Sequence, residues 1–324
     1  DGSPPHIVRA VPDRPNISYS VRPALSKDHE LRMLVPVVEK PAIIFCGSRT
    51  SAEMTARLLV RAHPDTPVKF YHAGLSREEK AAIEKWFFES DDGVLTSTCA
   101  YGMGVDKANI RTVIHRDMPP SVEAYLQESG RAGRDRNPAS AILLFSPADR
   151  TNQRWGGDPA ETGNAATVGR EPSNPARQMP IELQRYRAMV RYALSRKVCR
   201  REYLLALLSA EPEVCFGCDV CSGKVETVLP GFEQILRLIA RYPRRFTVIE
   251  AAEILCGERS RQIIDKSLWR IRGYGSLLGW TIRESEDAIV EARAAGYLVV
   301  PKKGPWKRTL NLTRSSAYKK PALA

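Results

Sequence analysis

Between residues 41 and 147 the sequence alternates short, continuous apolar runs with longer stretches of helical periodicity. The runs are AIIFC (42–46), VKFYH (68–72), GVLTST (93–98), TVIHRDM (112–118) and AILLFS (141–146). Strands that are apolar at consecutive positions are typical of a parallel sheet covered on both faces. The sequence therefore predicts an α/β lobe with a parallel sheet, to which we assign residues 1–150.

One stretch of this lobe, SVEAYLQESGRAGRDRNPAS (121–140), places arginines among glycines directly after an amphipathic segment. Arg131 and Arg134 are separated by Ala132 and Gly133, and Arg136 follows after Asp135. Glycine lets the backbone approach a ligand closely, and arginine suits planar, bidentate contact with phosphate. The stretch therefore predicts a phosphate-contacting loop, with a set of surface salt bridges as the alternative.

Residues 151–180 are rich in Gly, Pro, Asn, Thr and Ser and contain almost no large aliphatic side chains. Such a segment cannot bury enough apolar surface to offset the entropy lost on ordering. We predict a disordered insertion or linker here.

Four of the seven cysteines follow the spacing C-x15-C-x2-C-x2-C, at Cys199, Cys215, Cys218 and Cys221. A C-x2-C turn brings two thiolates onto one metal, and structural zinc takes four ligands in a tetrahedron. We therefore predict a small helical domain over residues 181–224 that holds one structural Zn²⁺. Buried free thiols with accidental spacing are the alternative.

Residues 225–324 contain three stretches of helical periodicity followed by YLVV, PKKGPWKR and TLNLT. Three helices and a terminal hairpin predict a winged-helix domain, and Thr281 with Glu284 predicts a capping box for the third helix. This part has 18 Lys+Arg against 10 Asp+Glu, so it carries +8 of the formal net charge of +12. That concentration of positive charge favours a polyanionic partner.

No apolar run approaches the ~20 residues of a membrane span, and the N-terminal residues lack the hydrophobic segment of a signal peptide. We expect an intracellular protein without a membrane partner, in the nucleus of a eukaryote or the cytoplasm of a bacterium.

Several of these runs resemble the second RecA-like lobe of RecQ-type DNA helicases. The matching motifs are IIFCGSRTSAE, YHAGL, TSTCAYGMGVDKANIRTVIH and YLQESGRAGRDR, and the cysteine cluster with CRREYLL resembles that family's zinc-binding domain. RNA helicases and chromatin motors share the two-arginine motif, but the zinc cluster and winged helix disfavour them. The resemblance implies the C-terminal half of an ATP-dependent 3′-to-5′ DNA helicase that unwinds duplex DNA in recombination and repair.

The sequence contains no G-x4-G-K-[ST] phosphate loop. ATP and Mg²⁺ are therefore expected only together with a first helicase lobe, and this chain alone is expected to be inactive as an ATPase. A non-catalytic zinc and winged-helix DNA-binding fragment, or a truncated paralogue, is the alternative.

The resemblance also implies roles for single residues. Arg134 corresponds to an arginine finger for the γ-phosphate of ATP, with Arg131 as its coupling partner and Gln127 alongside. A loop that follows a strand end would sense nucleotide and DNA; its residues are Gly102, Gly104 and Asp106, the last standing where the family often has Asn.

Further positions are expected to contact DNA at the junction of duplex and single strand. Contacts with the single-strand backbone are implied for Ser48, Arg49, His72 and, more weakly, Thr98. The wing supplies cations and one aromatic residue, which are Lys302, Lys303, Trp306, Lys307 and Arg308. Trp306 either stacks on the terminal base pair or folds back onto the core of its own domain.

Overall fold

Six parallel strands form the first part of the chain in the computed structural model, which describes residues 14–99, 107–151, 180–208, 210, 215, 217–301 and 303–313. The strands are β1 (Ile17–Pro23), β2 (Ala42–Phe45), β3 (Val68–Tyr71), β4 (Val94–Ser97), β5 (Thr112–His115) and β6 (Ala139–Phe145). Their order is β1-β6-β5-β2-β4-β3, and every pairing is parallel. The predicted parallel α/β lobe is confirmed.

The central strands are apolar at consecutive positions because helices cover the sheet. Every residue of β2, β4 and β5 is buried. The helices of this lobe are α1 (Lys27–Leu34), α2 (Arg49–Ala62), α3 (Arg77–Glu89) and α4 (Val122–Ser129). Each begins after a serine whose side chain accepts a backbone N–H of the first turn, and these are Ser26, Ser48, Ser76 and Ser121. The caps fix where each helix starts.

Strand β1 was not among the predicted strands, and it lies at one edge of the sheet. Its residues alternate between buried and more exposed positions, unlike those of the central strands. It pairs with β6 on one side. On its other side, Tyr19 forms a β-bridge with Cys218 and accepts the N–H of Asp219 at 3.1 Å. The cysteine-rich segment therefore covers this edge.

Two further groups of elements follow the lobe. The first consists of α5 (Ile181–Leu194) and α6 (Arg200–Leu207); the second consists of α7 (Phe232–Arg241), α8 (Val248–Cys256), α9 (Arg261–Asp265), α10 (Ile282–Ala294) and the antiparallel pair β7 (Leu298–Val299) and β8 (Asn311–Leu312). The helices and hairpin of the second group agree with the predicted winged helix, to which α9 adds a short helix. Residues 152–179, which make up most of the predicted insertion, lie outside the described residues.

The winged-helix domain contacts α1 of the lobe at several points, and the buried carboxylate of Glu284 is one of them. Arg32 donates two hydrogen bonds to it, at 2.8 and 2.9 Å. Nearby, the rings of His29 and Trp280 stack with their centroids 3.8 Å apart. Glu284 also accepts the N–H of Thr281 at 2.8 Å, which confirms the predicted capping box of α10. The same carboxylate thus starts a helix and joins two domains.

We expect the stability of the chain to fall as the pH drops from about 5 to about 2, in part through Glu284. Burial alone would raise the pKa of this carboxyl group, but hydrogen bonds from His29, Arg32 and the Thr281 N–H lower the pKa to about 2. A carboxylate with a lower pKa in the folded state stabilises the fold above its unfolded pKa of about 4.3 and loses that contribution as the pH falls through the folded pKa. For Glu284→Gln, the free energy of unfolding measured with urea should depend less on pH across this range than it does for the wild type.

The variant Arg32→Met leaves the same carboxylate buried without its guanidinium partner. We expect the free energy of unfolding at pH 7 to fall by roughly 3 kcal/mol. Arg237→Met is the matched control, because Arg237 forms an exposed pair with Glu233 within one helix, and its loss should cost less than about 1 kcal/mol. Equal stability of Arg32→Met and wild type would contradict the proposed role of this contact.

Candidate functional sites

The predicted phosphate-contacting loop leaves the end of α4 and is held against the segment before β1. The side-chain amide of Asn16 donates to the carbonyls of Gly133 and Asn137, at 2.8 Å each. The N–H of Gly133 donates to the carbonyl of Ile110 at 2.8 Å. Gly133 has a φ of +56°, and a Cβ there would lie 2.7 Å from the Asn137 carbonyl oxygen. This position therefore requires glycine, and the loop is fixed at its centre.

The candidate residues in and before this loop differ in exposure. Arg134 and Gln127 are exposed, whereas Arg131 is only 5% exposed. Arg134 is therefore accessible to an anion outside the lobe, and Arg131 belongs to the packed interior at the start of the loop. Guanidinium groups form strong, bidentate hydrogen bonds with phosphate, so the exposed arginine fits the predicted chemistry.

A buried pair that sequence analysis missed anchors the helix before this loop. His115, at the end of β5, is fully buried, and its Nε2 lies 2.9 Å from a carboxylate oxygen of Glu128 on α4. Its ring stacks on Phe45 at 5.4 Å and packs on Tyr125 at 4.7 Å between centroids. Because Glu128 precedes the arginine loop by two residues, the pair fixes where the loop begins. The only signal in the sequence was a histidine closing an apolar strand.

The loop predicted to sense nucleotide and DNA, which contains Gly102, Gly104 and Asp106, lies outside the described residues. In the sequence it follows β4.

Arg49 and His72 face the same space at the carboxyl ends of β2 and β3. Ser48 accepts the N–H of Ser51 at 3.1 Å and caps α2, and Arg49 is the first residue of that helix; both predicted residues are exposed. A Cβ added to Gly74 would lie 3.1 Å from Nη1 of Arg49 and 3.3 Å from Nδ1 of His72. Gly74, which the sequence patterns did not single out, thus lets both side chains lie against its backbone.

His72 is 5% exposed, and its Nε2 lies 3.1 Å from Glu53. Among the described residues, Nδ1 of His72 has no hydrogen-bond partner. Because the ring nitrogen beside the Glu53 carboxylate donates to it, Nδ1 of the neutral ring is an acceptor and suits an N–H or O–H donor. Thr98 is half-buried just after β4, and its N–H donates to the Tyr71 carbonyl at 3.3 Å. Ser48, Arg49 and His72 therefore come together, and Thr98 lies at the end of the adjacent strand.

Asp117 holds the backbone that carries Ser48 and Arg49. Its carboxylate accepts the N–H of Gly47 at 2.8 Å. Burial would raise the pKa of Asp117, but Arg116 and other nearby donors outweigh burial and hold the pKa below its usual range. The carboxylate is therefore charged at neutral pH and fixes the loop between β2 and α2.

The four predicted zinc ligands come together in one cluster. Their Sγ atoms all lie within 4.8 Å of one another, and those of Cys199 and Cys218 are 4.0 Å apart. Tetrahedral zinc with bonds of about 2.3 Å separates its sulfur ligands by about 3.8 Å. The cluster therefore fits one Zn²⁺ after a small contraction. Among the described residues, the four donors are Cys199, Cys215, Cys218 and Cys221.

The residues that directly follow two of these cysteines attach the zinc-binding domain to the lobe. Arg200 donates to both carboxylate oxygens of Asp219, at 2.8 and 3.1 Å, and to the Tyr192 carbonyl at 2.7 Å. Asp219 accepts the N–H of Val21 on β1 at 3.0 Å. Arg201, which follows Arg200, donates to the carbonyl of Ile17 on β1 at 2.8 Å. Arg200 and Asp219 are buried, so the pair depends on both domains being in place.

The wing residues lie on an exposed turn between β7 and β8. The described ones, all exposed, are Lys303, Trp306, Lys307 and Arg308, while Lys302 lies outside the described residues. Trp306 is 49% exposed and is not part of the buried core of its domain. This disagrees with the alternative in which its ring folds back onto that core. The turn reverses through Gly304, which has a φ of +87°.

Three family models match the chain in succession. The helicase conserved C-terminal domain matches residues 29–136, the RecQ zinc-binding model matches residues 163–222, and the RQC domain matches residues 232–319. The second match includes all four cysteines of the cluster and begins within the segment predicted as an insertion. Among the described residues, no helix is long and apolar enough to cross a membrane.

The chain is also similar to curated DNA helicases. It is 32% identical over 275 residues to the ATP-dependent DNA helicase RecQ of Pasteurella multocida, covering 84% of this chain and 41% of that protein. It is 31% identical over 267 residues to the RecQ helicase of Haemophilus influenzae, covering 81% and 40%. An ATP-dependent DNA helicase of Schizosaccharomyces pombe is 31% identical over 275 residues, covering 81% and 20%. The chain thus spans less than half the length of these relatives.

Proposed function

Because the chain belongs to the RecQ family, whose C-terminal helicase, zinc-binding and RQC domains it contains, we propose that it is the C-terminal part of an ATP-dependent DNA helicase. The complete protein moves 3′ to 5′ along one strand, and a first RecA-like lobe holds ATP and Mg²⁺. The observation that carries the proposal is the loop fixed by Gly133, which exposes Arg134 at its surface.

At the nucleotide, Arg134 donates hydrogen bonds to the γ-phosphate when the two lobes close. Phosphoryl transfer spreads negative charge over the phosphate oxygens, and a fixed cation stabilises that charge in the transition state. Arg131 supports the loop from the interior, and Gln127 reaches the nucleotide from α4. The buried His115–Glu128 pair keeps α4 in place, so the guanidinium needs little rearrangement during the reaction.

At the single strand, a backbone phosphate binds at the N-terminus of α2. The Arg49 guanidinium and the Ser48 hydroxyl, both exposed at the N-terminus of α2, donate to it, and His72 lies beside Arg49. These donors suit phosphate oxygens and carry no sequence information, as a motor that moves along any DNA requires. The loop with Gly102, Gly104 and Asp106 transmits the state of the nucleotide to this contact.

At the duplex, the winged-helix domain supplies the positive charge. Lys302, Lys303, Lys307 and Arg308 bind phosphates on either side of the turn, so binding weakens with salt and does not depend on sequence. Trp306 stacks on the terminal base pair and separates its strands, because an exposed indole among cations can replace base stacking.

Replacing Trp306 by alanine in the complete helicase should reduce the unwinding rate by roughly tenfold, because one base–aromatic stack is worth about 1–3 kcal/mol. Duplex binding and DNA-stimulated ATP turnover should remain near wild type. The melting temperature should also be unchanged, since the side chain is exposed and lies outside the core. A strand-separation assay, binding at several salt concentrations and thermal melting measure these quantities.

Trp269→Ala is the matched control, because Trp269 is 45% exposed in the same domain but lies outside the wing. It should unwind DNA at the wild-type rate. If Trp306→Ala lowers the melting temperature, or if both tryptophan variants unwind equally slowly, the wing does not separate strands through Trp306.

A further inference from the structure

An apolar groove lies along β3, the strand at the opposite edge of the sheet from β1. In the described part of the chain β3 pairs only with β4, whereas the zinc-binding domain covers β1. The groove is lined by Val60 on α2, Val68 and Phe70 on β3 and Ile83 on α3, and it encloses about 560 Å³. One edge of the sheet is therefore covered, and at the other edge β3 has no second strand partner among the described residues and lies beside an apolar surface.

Cations surround this groove. They are Arg57 and Arg61 on α2 and Lys69 on β3, and none of the described residues that line the groove is acidic. The Arg57 side chain is 72% exposed although it lies 3.4 Å from Glu53. The Lys69 ammonium lies 4.7 Å from the centroid of the Trp86 ring, which keeps its charge beside the strand. The groove thus combines an apolar floor with a positive rim.

We propose that this groove binds an extended segment of a partner protein in which acidic and bulky apolar side chains alternate. The segment adds a strand beside β3, and its backbone N–H and C=O groups pair with those on the side of β3 that faces away from β4. Side chains two residues apart share one face of a strand, so its apolar side chains enter the groove together. Its acidic side chains then meet the cations of the rim.

The charge of the groove argues against two other occupants. A second copy of this chain has a formal net charge of +12 and would bring Lys69 against its own counterpart. Single-stranded nucleic acid would find cations here, but its bases bind proteins by stacking on aromatic rings. The floor is mostly aliphatic, with Phe70 as its one aromatic residue among the described ones.

Selection of a displayed peptide library on the whole chain tests the proposal. We expect enriched sequences in which Asp or Glu alternates with Leu, Ile, Val or Phe. A synthetic peptide of the enriched sequence should bind wild type and lose about tenfold in affinity, or about 1.4 kcal/mol, with Val60→Asp and with Arg61→Glu. Both substitutions are on α2 and not on β3. Phe70 of β3 stacks on His72, so its replacement would also disturb the proposed DNA contact.

The control variant is Val37→Asp, because Val37 is 77% exposed and lies outside the groove. It should bind the peptide like wild type, and bound peptide should slow amide hydrogen exchange in β3. Enriched peptides without acidic residues, or peptides that bind Val60→Asp as well as wild type, would overturn the proposal. Competition by a single-stranded oligonucleotide would overturn it too, by assigning the groove to DNA. None of these outcomes depends on helicase activity.

Discussion

Alanine in place of Arg134 is expected to lower DNA-stimulated ATP turnover by about 10³-fold or more in a protein that joins this chain to a competent first lobe. The exposed guanidinium supplies positive charge only where charge develops during phosphoryl transfer, so the effect falls on the rate of the chemical step. DNA binding should stay near wild type, because the side chains proposed to contact DNA phosphates lie outside this loop. Steady-state ATPase assays with saturating DNA measure the loss.

Arg136→Ala provides the matched control for this variant. Arg136 is an exposed arginine of the same loop, two residues further on, and its loss should change turnover by less than about tenfold. The chain on its own should hydrolyse no ATP above background. Near-normal turnover of Arg134→Ala, or robust hydrolysis by the chain alone, would contradict the assignment of an arginine finger.

Loss of the zinc ion is expected to unfold the cysteine-rich domain and to expose β1. Metal ligation contributes folding free energy directly in small zinc domains. Here the ligands Cys199 and Cys218 are each followed by one member of the buried Arg200–Asp219 pair. Because Asp219 accepts the N–H of Val21, unfolding of this domain also uncovers β1. Elemental analysis should find one zinc per chain, and chelation should speed amide exchange in β1. Metal-free protein with an unchanged melting temperature would refute the role of zinc.

The variant Asp219→Ala removes the Arg200–Asp219 ion pair but keeps all four zinc ligands, so it distinguishes the effect of the pair from that of the metal. The variant should keep its zinc but lose about 3–5 kcal/mol of stability, because Arg200 stays buried without its carboxylate. Cys256→Ser is the control for changes at cysteine. Cys256 lies outside the cluster, and its Sγ lies within hydrogen-bond distance of Ser285 Oγ, at 3.1 Å. Its replacement by serine should lower the free energy of unfolding by less than about 1.5 kcal/mol.

The central strands could be predicted because burial on both faces leaves a continuous apolar run, as in AIIF of β2. Strand β1 was missed because its sequence, ISYSVRP, alternates with polar residues. The residues that pack against its open edge, Cys218 and Asp219, lie almost two hundred positions away in the sequence. No local sequence pattern indicates that contact. The helix α10 was predicted from Thr281 and Glu284, since a capping box is local in sequence.

The candidate sites follow the same rule. The zinc ligands were predictable because three of the four lie within seven residues and share a simple spacing. The second role of Glu284 was not, because Arg32 lies 252 residues away along the chain. The contact between Gly74 and its neighbours was equally hidden, because the lack of a side chain matters only once Arg49 and His72 are in place. Sequence patterns thus identified chemical groups better than their long-range partners.

During synthesis, β1 is made long before the residues that cover its edge. Val21 of β1 and Asp219, which binds its N–H, are 198 residues apart. At about 5–20 residues per second, the ribosome makes Asp219 about 10–40 s after β1. Through that interval the nascent chain presents an edge strand without its final cover, and unpaired edges are where growing chains associate wrongly. Translation speed and chaperone occupancy over the intervening segment therefore bear directly on the yield of folded protein.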